Sequence, residues 1–119
     1  MKRKVLILGG GGFIGSRIAK ILTLRGDCDI TIGDIFIRNQ DDDELMSFIK
    51  SAGIKLIKGD FTVPSLFDSL EKDYDDFYML ASMIGVNNTL EIPHEIIRVN
   101  TALIFNSLEW LKKTTVKAV

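Results

Sequence analysis

The sequence predicts an α/β fold with a doubly wound parallel sheet. Short apolar runs alternate with helical patterns along all 119 residues. The runs carry apolar side chains at consecutive positions, which is typical of strands buried on both faces. Strands separated by helices pair in parallel, and right-handed crossovers then favour the strand order 3-2-1-4. The length predicts a single domain over residues 1–119.

The first half of the chain contains two predicted strands and two predicted helices. Residues 4–8 are a short apolar run that ends at a glycine, which indicates a buried strand. Residues 13–24 carry apolar side chains at helical spacing, and Gly26 can end that helix. Residues 29–33 form the second strand, and residues 42–52 a helix with acidic side chains at its start. The apolar face predicted for the first helix consists of Ile14, Ile18, Ile21 and Leu22.

The second half repeats the alternation. Residues 54–58 and 76–80 are predicted strands, and Pro64 opens a short helix over residues 65–71 between them. A proline also opens the last helix, over residues 93–113. The apolar stripe of that helix consists of Ile96, Ile97, Thr101, Ile104, Leu108 and Leu111.

The last five residues, 115–119, resemble a fifth strand that is just beginning. We therefore expect the chain to be the first part of a longer protein, truncated after about the start of strand five. Truncation would leave the edge of the fourth strand and one face of the last helix uncovered. Such surfaces associate, so a homo-oligomer is expected, most simply a dimer.

Composition argues against several classes of partner. The net charge of −1 offers no broad basic surface for nucleic acid. No apolar run approaches the roughly 20 residues that cross a bilayer, and glycines break the run after Lys2-Arg3-Lys4 that otherwise resembles a secretory signal. A lone cysteine, Cys28, fits a cytoplasmic protein. The acids at residues 41–44 suit a helix N-terminus, and no histidine or cysteine joins them, so no metal is expected.

A glycine-rich segment at residues 9–15, GGGGFIG, joins the first strand to the first helix. A helix N-terminus presents unpaired N–H groups that suit an anion, and glycines let a pyrophosphate approach the backbone. Gly10, Gly12 and Gly15 match the dinucleotide fingerprint G-x-G-x-x-G, and a register that starts at Gly9 also fits. The segment therefore predicts an NAD(P)-binding, Rossmann-like domain.

Asp34 lies nineteen residues after Gly15, at the end of the second strand. A carboxylate there can accept hydrogen bonds from an adenosine ribose and would repel a 2′-phosphate, so NAD is favoured over NADP. Arg38 is the one feature that favours a phosphate. A Walker loop requires a Gly-Lys-Ser/Thr ending that Gly15-Ser16-Arg17 lacks, whereas a methyltransferase remains open.

These residues resemble the NAD-dependent epimerase/dehydratase family, the extended short-chain dehydrogenases/reductases. Members carry a stretch like T-G-G-A-G-F-I-G-S after the first strand, and residues 8–16 read LGGGGFIGS, with Leu8 and Gly11 as departures. Further matches follow in order at Asp34, Gly59-Asp60-Phe61, Leu80-Ala81-Ser82 and Val99-Asn100. Residues 85–93 are similar to a loop that faces the sugar nucleotide in such enzymes.

The resemblance implies a site for NAD. The implied cofactor-binding residues are Gly9, Gly10, Gly12, Phe13, Ile14, Gly15, Asp34, Asp60, Phe61, Leu80, Ala81, Ser82 and Asn100. Two of these have alternatives. Asp60 also suits a turn or a cap, and Asn100 is either an anchor for the cofactor loop or a helix residue that bonds backbone, and both can be true. The implied function is the NAD-binding portion of a nucleotide-sugar epimerase or dehydratase, in which hydride moves transiently between a sugar and NAD.

Catalytic residues are not expected in this chain. The family uses a Tyr-x-x-x-Lys pair with a Ser or Thr after the fifth strand, whereas Tyr74 and Tyr78 are followed four residues later by Tyr78 and Ser82. We therefore expect the 119 residues alone to have no turnover. The alternative function is a non-catalytic module that senses nicotinamide nucleotides.

Overall fold

Four parallel strands form one sheet in the part of the chain that the structure describes. The structure is a computed structural model that describes residues 2–35, 43–84 and 86–119. The strands are β1 (Arg3–Leu8), β2 (Cys28–Asp34), β3 (Lys55–Lys58) and β4 (Asp76–Met79). Their order is β3-β2-β1-β4, with every neighbouring pair parallel. The predicted fold class and strand order are confirmed.

Helices connect these strands, as the alternation in the sequence predicts. They are α1 (Phe13–Arg25), α2 (Asp43–Ser51), a 3₁₀ helix (Pro64–Ser69), α3 (Val86–Glu91) and α4 (Pro93–Leu111). Gly26 ends α1 at a φ of 76°, a left-handed conformation that glycine adopts without strain. The short helix after Pro64 is 3₁₀ rather than α. None of the helices within the described residues is long and apolar enough to cross a bilayer.

The sheet is buried on both faces. Val5 and Ile7 of β1 pack with α1 and α2 on one side of the sheet, whereas Leu6 and Leu8 pack with α4 and a group of aromatic residues on the other. These aromatic residues are Phe61, Phe67, Tyr74, Phe77 and Trp110. Trp110 of α4 lies at the centre of that second layer, its ring 5.3 Å from Phe77. Alternate residues of a strand point to opposite faces, which explains the unbroken apolar run in the sequence.

The buried face of α1 differs from the apolar stripe that the sequence predicts. Its buried residues are Gly15, Ala19 and Leu22, whereas Ile14 and Ile21 are 62% and 61% exposed. The prediction was wrong for these two isoleucines. The helix lies so close to the preceding loop that only small side chains fit between them, as the geometry of Gly15 shows below.

The last helix also turns a different face to the core. Residues Ile97, Ile104 and Leu108 are 67%, 54% and 54% exposed, so the predicted stripe faces away from the core at these positions. The buried residues are Leu103, Asn106, Ser107 and Trp110. Periodicity alone missed this face because two of its members are polar.

Residues near Ala118 pair beside β4. The N–H of Phe77 donates to the Ala118 carbonyl at 2.8 Å, and the N–H of Ala118 donates to the Asp75 carbonyl at 3.0 Å. The contact is an isolated parallel bridge rather than a strand. It lies at the position where a fifth strand was predicted.

Ion pairs join segments at the amino edge of the sheet. Lys4 pairs with Glu71 and Asp73, and Lys117 pairs with Asp75 at 2.8 Å. The hydrogen bond from Lys4 holds the pKa of Asp73 below its usual range, and the one from Lys117 lowers the pKa of Asp75 in the same way. These charges lie at the opposite edge from the glycine-rich segment and support the fold there.

Candidate functional site

The carboxyl ends of the strands meet at one edge of the sheet. The N–H of Gly9 donates to the Gly33 carbonyl at 2.8 Å, and that of Leu80 donates to the Leu8 carbonyl at 2.9 Å. On the other side, the N–H of Gly59 donates to the Asp34 carbonyl at 3.0 Å. The segments after β1, β3 and β4 thus come together where open α/β sheets bind ligands.

Three glycines of the loop after β1 are required by packing. Gly9 has a φ of +85°, and a Cβ added there would lie 2.6 Å from the Ala81 nitrogen. A Cβ on Gly10 would lie 2.6 Å from the Ile32 side chain, and one on Gly15 would lie 2.4 Å from the Gly9 carbonyl oxygen. These glycines bring the loop against β2, β4 and α1.

Gly12 has a different environment. A Cβ added there would meet only the Gly9 carbonyl oxygen, at 3.3 Å, and φ is −78° at this position. Any residue can adopt that conformation, and the contact would require the Gly9 oxygen to shift by a few tenths of an ångström. The chain thus constrains Gly12 less than its three neighbours, and the contact predicted between Gly12 and a pyrophosphate stays a prediction.

The start of α1 suits an anion. Gly12 is the N-cap and provides no side-chain hydrogen bond, and the first helical bond runs from the Ser16 N–H to the Gly12 carbonyl at 3.0 Å. The N–H groups of Phe13, Ile14 and Gly15 therefore precede the helical hydrogen-bond ladder. Both Phe13 and Ile14 have exposed side chains. The contact of this loop with a cofactor stays a prediction.

Asp34 is part of the same site. Its Oδ2 accepts a hydrogen bond of 2.7 Å from the N–H of Gly11, across the gap between β2 and the loop. The glycine-rich segment and the acid at the end of β2, whose bonded residues are 23 positions apart in the sequence, are therefore joined by a direct hydrogen bond. The bond fixes the carboxylate beside the start of α1, where a ribose next to a bound pyrophosphate would lie.

The loop after β3 forms a tight turn. Asp60 Oδ1 accepts hydrogen bonds from the N–H of Thr62 at 2.9 Å and from its hydroxyl at 2.7 Å. The turn role weighed for Asp60 is confirmed, and its contact with a ligand stays a prediction. The side chain of Phe61 is only 3% exposed and packs edge-on against Phe67. The residue is thus almost entirely buried, and the contact implied between Phe61 and a ligand stays a prediction.

The loop after β4 is held by Asn100. Its Nδ2 donates to the Met83 carbonyl at 3.0 Å, and the N–H of Met83 donates to its Oδ1 at 2.7 Å. Asn100 thus bonds to backbone, as one of its two predicted roles requires, and that the segment it holds binds a cofactor stays a prediction. Leu80 and Ser82 are exposed at this edge and Ala81 is half-buried. Contacts of these residues with a cofactor stay predictions.

Sequence reasoning missed Asn106. Its Nδ2 donates to the carbonyls of Phe61 at 3.1 Å and Thr62 at 2.9 Å, and the residue is 8% exposed. The sequence did contain a signal for this role. Asn106 lies at helical spacing from Leu103 and Trp110, which are apolar residues on the buried face of α4.

The two tyrosines lie in β4 and in the segment before it. Tyr74 is 1% exposed and precedes β4, at the amino edge of the sheet. Burial raises the pKa of its hydroxyl, the opposite of what a proton acceptor needs. Tyr78 lies within β4, opposite Ile7.

No metal-binding group is found among residues 2–35, 43–84 and 86–119. Within them, no three His, Cys, Asp or Glu side chains are placed to hold an ion. Asp41 and Asp42 of the predicted acidic cluster lie outside the described residues, as does Arg38.

Comparisons with known proteins agree with this geometry. Residues 5–119 match the sequence model of the NAD dependent epimerase/dehydratase family. A UDP-N-acetyl-alpha-D-glucosaminuronate decarboxylase from Bacillus cytotoxicus is 33% identical over 102 residues, which are 84% of this chain and 30% of the relative. The match confirms the family resemblance.

Solved structures show the same fold. The UDP-Glc/GlcNAc 4-epimerase from Campylobacter jejuni superposes with a TM-score of 0.83 at 25% identity, covering 96% of this chain and 35% of the epimerase. The Bordetella bronchiseptica enzyme WbmF, in complex with NAD+ and UDP, superposes with a TM-score of 0.76 at 23% identity, covering 98% of this chain and 33% of WbmF. The chain thus spans about a third of the proteins it matches.

Proposed function

This chain belongs to the NAD-dependent epimerase/dehydratase family, and we propose that it is the NAD-binding portion of an enzyme that acts on nucleotide sugars. The observation that carries the proposal is the hydrogen bond between Asp34 and Gly11, which joins a ribose-type acid to an anion-binding helix start. The WbmF structure with NAD+ and UDP supports the same assignment.

The residues at the carboxyl edge fit a dinucleotide. The N–H groups at the start of α1 would hold the pyrophosphate against Gly12, where the backbone lacks an obstructing side chain. Asp34 would accept hydrogen bonds from the adenosine ribose, and the turn at Asp60 would lie against the adenine. The segment from Leu80 to Ser82 would run along the rest of the cofactor.

Bound NAD would supply a hydride acceptor for the transient oxidation of a sugar hydroxyl. The part of this chain is to bind and orient that acceptor. Nucleotide sugars are the proposed substrate class because the similar decarboxylase and epimerase are named for UDP sugars. The 119 residues contain no Tyr-x-x-x-Lys sequence, so we propose that they have no turnover by themselves.

The substitution Asp34→Ala tests the ribose site. We expect NAD affinity to fall roughly tenfold, since about 1.5–3 kcal/mol is typical of hydrogen bonds to a charged group, while NADP affinity falls less because a repelling charge is removed. Calorimetric titration of the chain with NAD and NADP measures both. Asp29→Ala removes an exposed acid from the same strand and serves as the control. An unchanged ratio of the two affinities would place the ribose elsewhere.

We further propose that the chain forms a dimer through the outward face of α4. Ile97, Ile104 and Leu108 are exposed there at spacings of seven and four residues, and Phe105 adjoins them. Such spacing forms an apolar seam along one helix, which a second copy of the same helix complements.

The dimer predicts a specific effect of charge on this face. Leu108→Asp should convert the chain to a monomer at tens of micromolar, the range in which weak association becomes visible. Leu24→Asp changes a leucine of α1 that is 87% exposed and should leave the dimer intact. Static light scattering measures the mass. A wild-type monomer would contradict the proposal.

A further inference from the structure

Asn106 holds a loop rather than its own helix. Its Nδ2 has two N–H groups, and the two carbonyls it contacts belong to Phe61 and Thr62, 45 and 44 positions earlier in the chain. A buried amide is costly unless it is hydrogen-bonded. The site beside Leu103 and Trp110 would take an apolar residue if packing alone mattered.

The hydrogen bonds continue from Asn106 through Thr62 to Asp60. Thr62, whose carbonyl accepts from Asn106, donates both its N–H and its hydroxyl to the Asp60 carboxylate. The ring of Phe61 is packed 5.2 Å from Phe67, so the middle residue of the turn cannot rotate freely. Two hydrogen-bond steps thus connect Asn106 with the carboxylate at the carboxyl edge.

The same helix holds a second loop in the same way. Asn100 holds Met83 after β4, and Asn106 holds the turn after β3. These are the outermost strands of the described sheet. Six helical residues separate the two amides by about 9 Å along the axis. Helix α4 therefore holds both loops that flank the glycine-rich segment, and it sets the distance between them.

We propose that Asn106 is a positioning residue that sets the geometry of the Asp60 turn and thereby the affinity for the adenosine half of the cofactor. The ligand part rests on the proposed function. The positioning part rests on the hydrogen bonds alone, so the two can be tested separately.

Amide hydrogen exchange of the chain without ligand tests the positioning. Asn106→Ala removes both hydrogen bonds that hold the turn, each worth about 1 kcal/mol, and should speed exchange of the Thr62 N–H roughly tenfold or more as the turn loosens. Ser107→Ala, which removes a neighbouring buried hydroxyl bonded to the Leu103 carbonyl, should leave that rate unchanged. Asn100→Ala should also leave it unchanged and act at Met83 instead. An unchanged Thr62 rate in folded Asn106→Ala overturns the proposal.

Ligand titration then tests the consequence. Asn106→Ala should weaken binding of adenosine monophosphate roughly tenfold and leave binding of nicotinamide mononucleotide unchanged, a split that general destabilisation would not produce. Asn106→Gln keeps both donors and should restore part of the affinity. Equal adenosine monophosphate affinity in wild type and variant overturns the link between turn and ligand.

Two further outcomes are decisive. If the wild type binds neither NAD nor adenosine monophosphate, the proposed function fails while the exchange rates still decide the role of Asn106 in the loop. If Asn106→Ala does not fold, Asn106→Ser, which retains one donor, should show the same faster exchange to a smaller degree. Wild-type exchange in that variant contradicts the proposal.

Discussion

Replacement of Gly12 by valine is expected to abolish NAD binding while the domain stays folded. The added side chain would project into the space beside the N–H groups of Phe13 and Ile14, where the pyrophosphate is proposed to lie. Loss of two hydrogen bonds to a charged group, each about 1.5–3 kcal/mol, lowers the affinity by roughly 100-fold or more. Calorimetric titration with NAD measures the loss.

The fold is expected to tolerate this change because of the local geometry. A Cβ at Gly12 would lie 3.3 Å from the Gly9 oxygen, a tight contact that a shift of a few tenths of an ångström in the loop would relieve. It would meet nothing else within 4 Å, and a φ of −78° suits valine. Thermal unfolding by circular dichroism should show a midpoint close to that of the wild type. Normal NAD affinity in the folded variant would rule out this loop as the phosphate site.

Much of the fold could be predicted because it depends on local patterns. The buried run of β1 is apolar at every position from Val5 to Leu8, so its strand and its central place follow from burial on two faces. The glycine spacing and Asp34 also follow from local rules, since a tight turn and a strand end fix where they lie. Their hydrogen bond through Gly11 follows from that placement.

Contacts between distant segments could not be predicted in this way. Asn106 was missed because a polar residue in a helix normally faces solvent, and its two acceptors lie over 40 positions away. The buried face of α4 includes Asn106 and Ser107 for the same reason, whereas part of its apolar stripe is exposed. Ile14 has the spacing of an apolar helix face but lies outside the core, because Gly15 and Ala19 allow α1 a closer contact than larger residues would.

Replacement of Gly15 by alanine is expected to destabilise the domain, in contrast to the change at Gly12. In an exposed helix, Gly→Ala stabilises by about 1 kcal/mol. Here the new Cβ would lie 2.4 Å from the Gly9 oxygen and 2.8 Å from the Gly10 Cα, and both are backbone atoms that cannot rotate away. The helix must shift off the loop, which costs about 3 kcal/mol and lowers the unfolding midpoint by roughly 10 °C.

Ser16→Ala is the matched control for this last change. Ser16 is the next residue of α1 and is half-buried, and its hydroxyl donates to the Phe13 carbonyl within the same helix, so its replacement should shift the midpoint little. The sign of the Gly15→Ala effect is decisive, because helix propensity and close packing predict opposite signs. A Gly15→Ala variant as stable as the wild type would mean that α1 does not lie against the glycine-rich loop. The position of the α1 N–H groups beside the proposed pyrophosphate site would then have to be explained in another way.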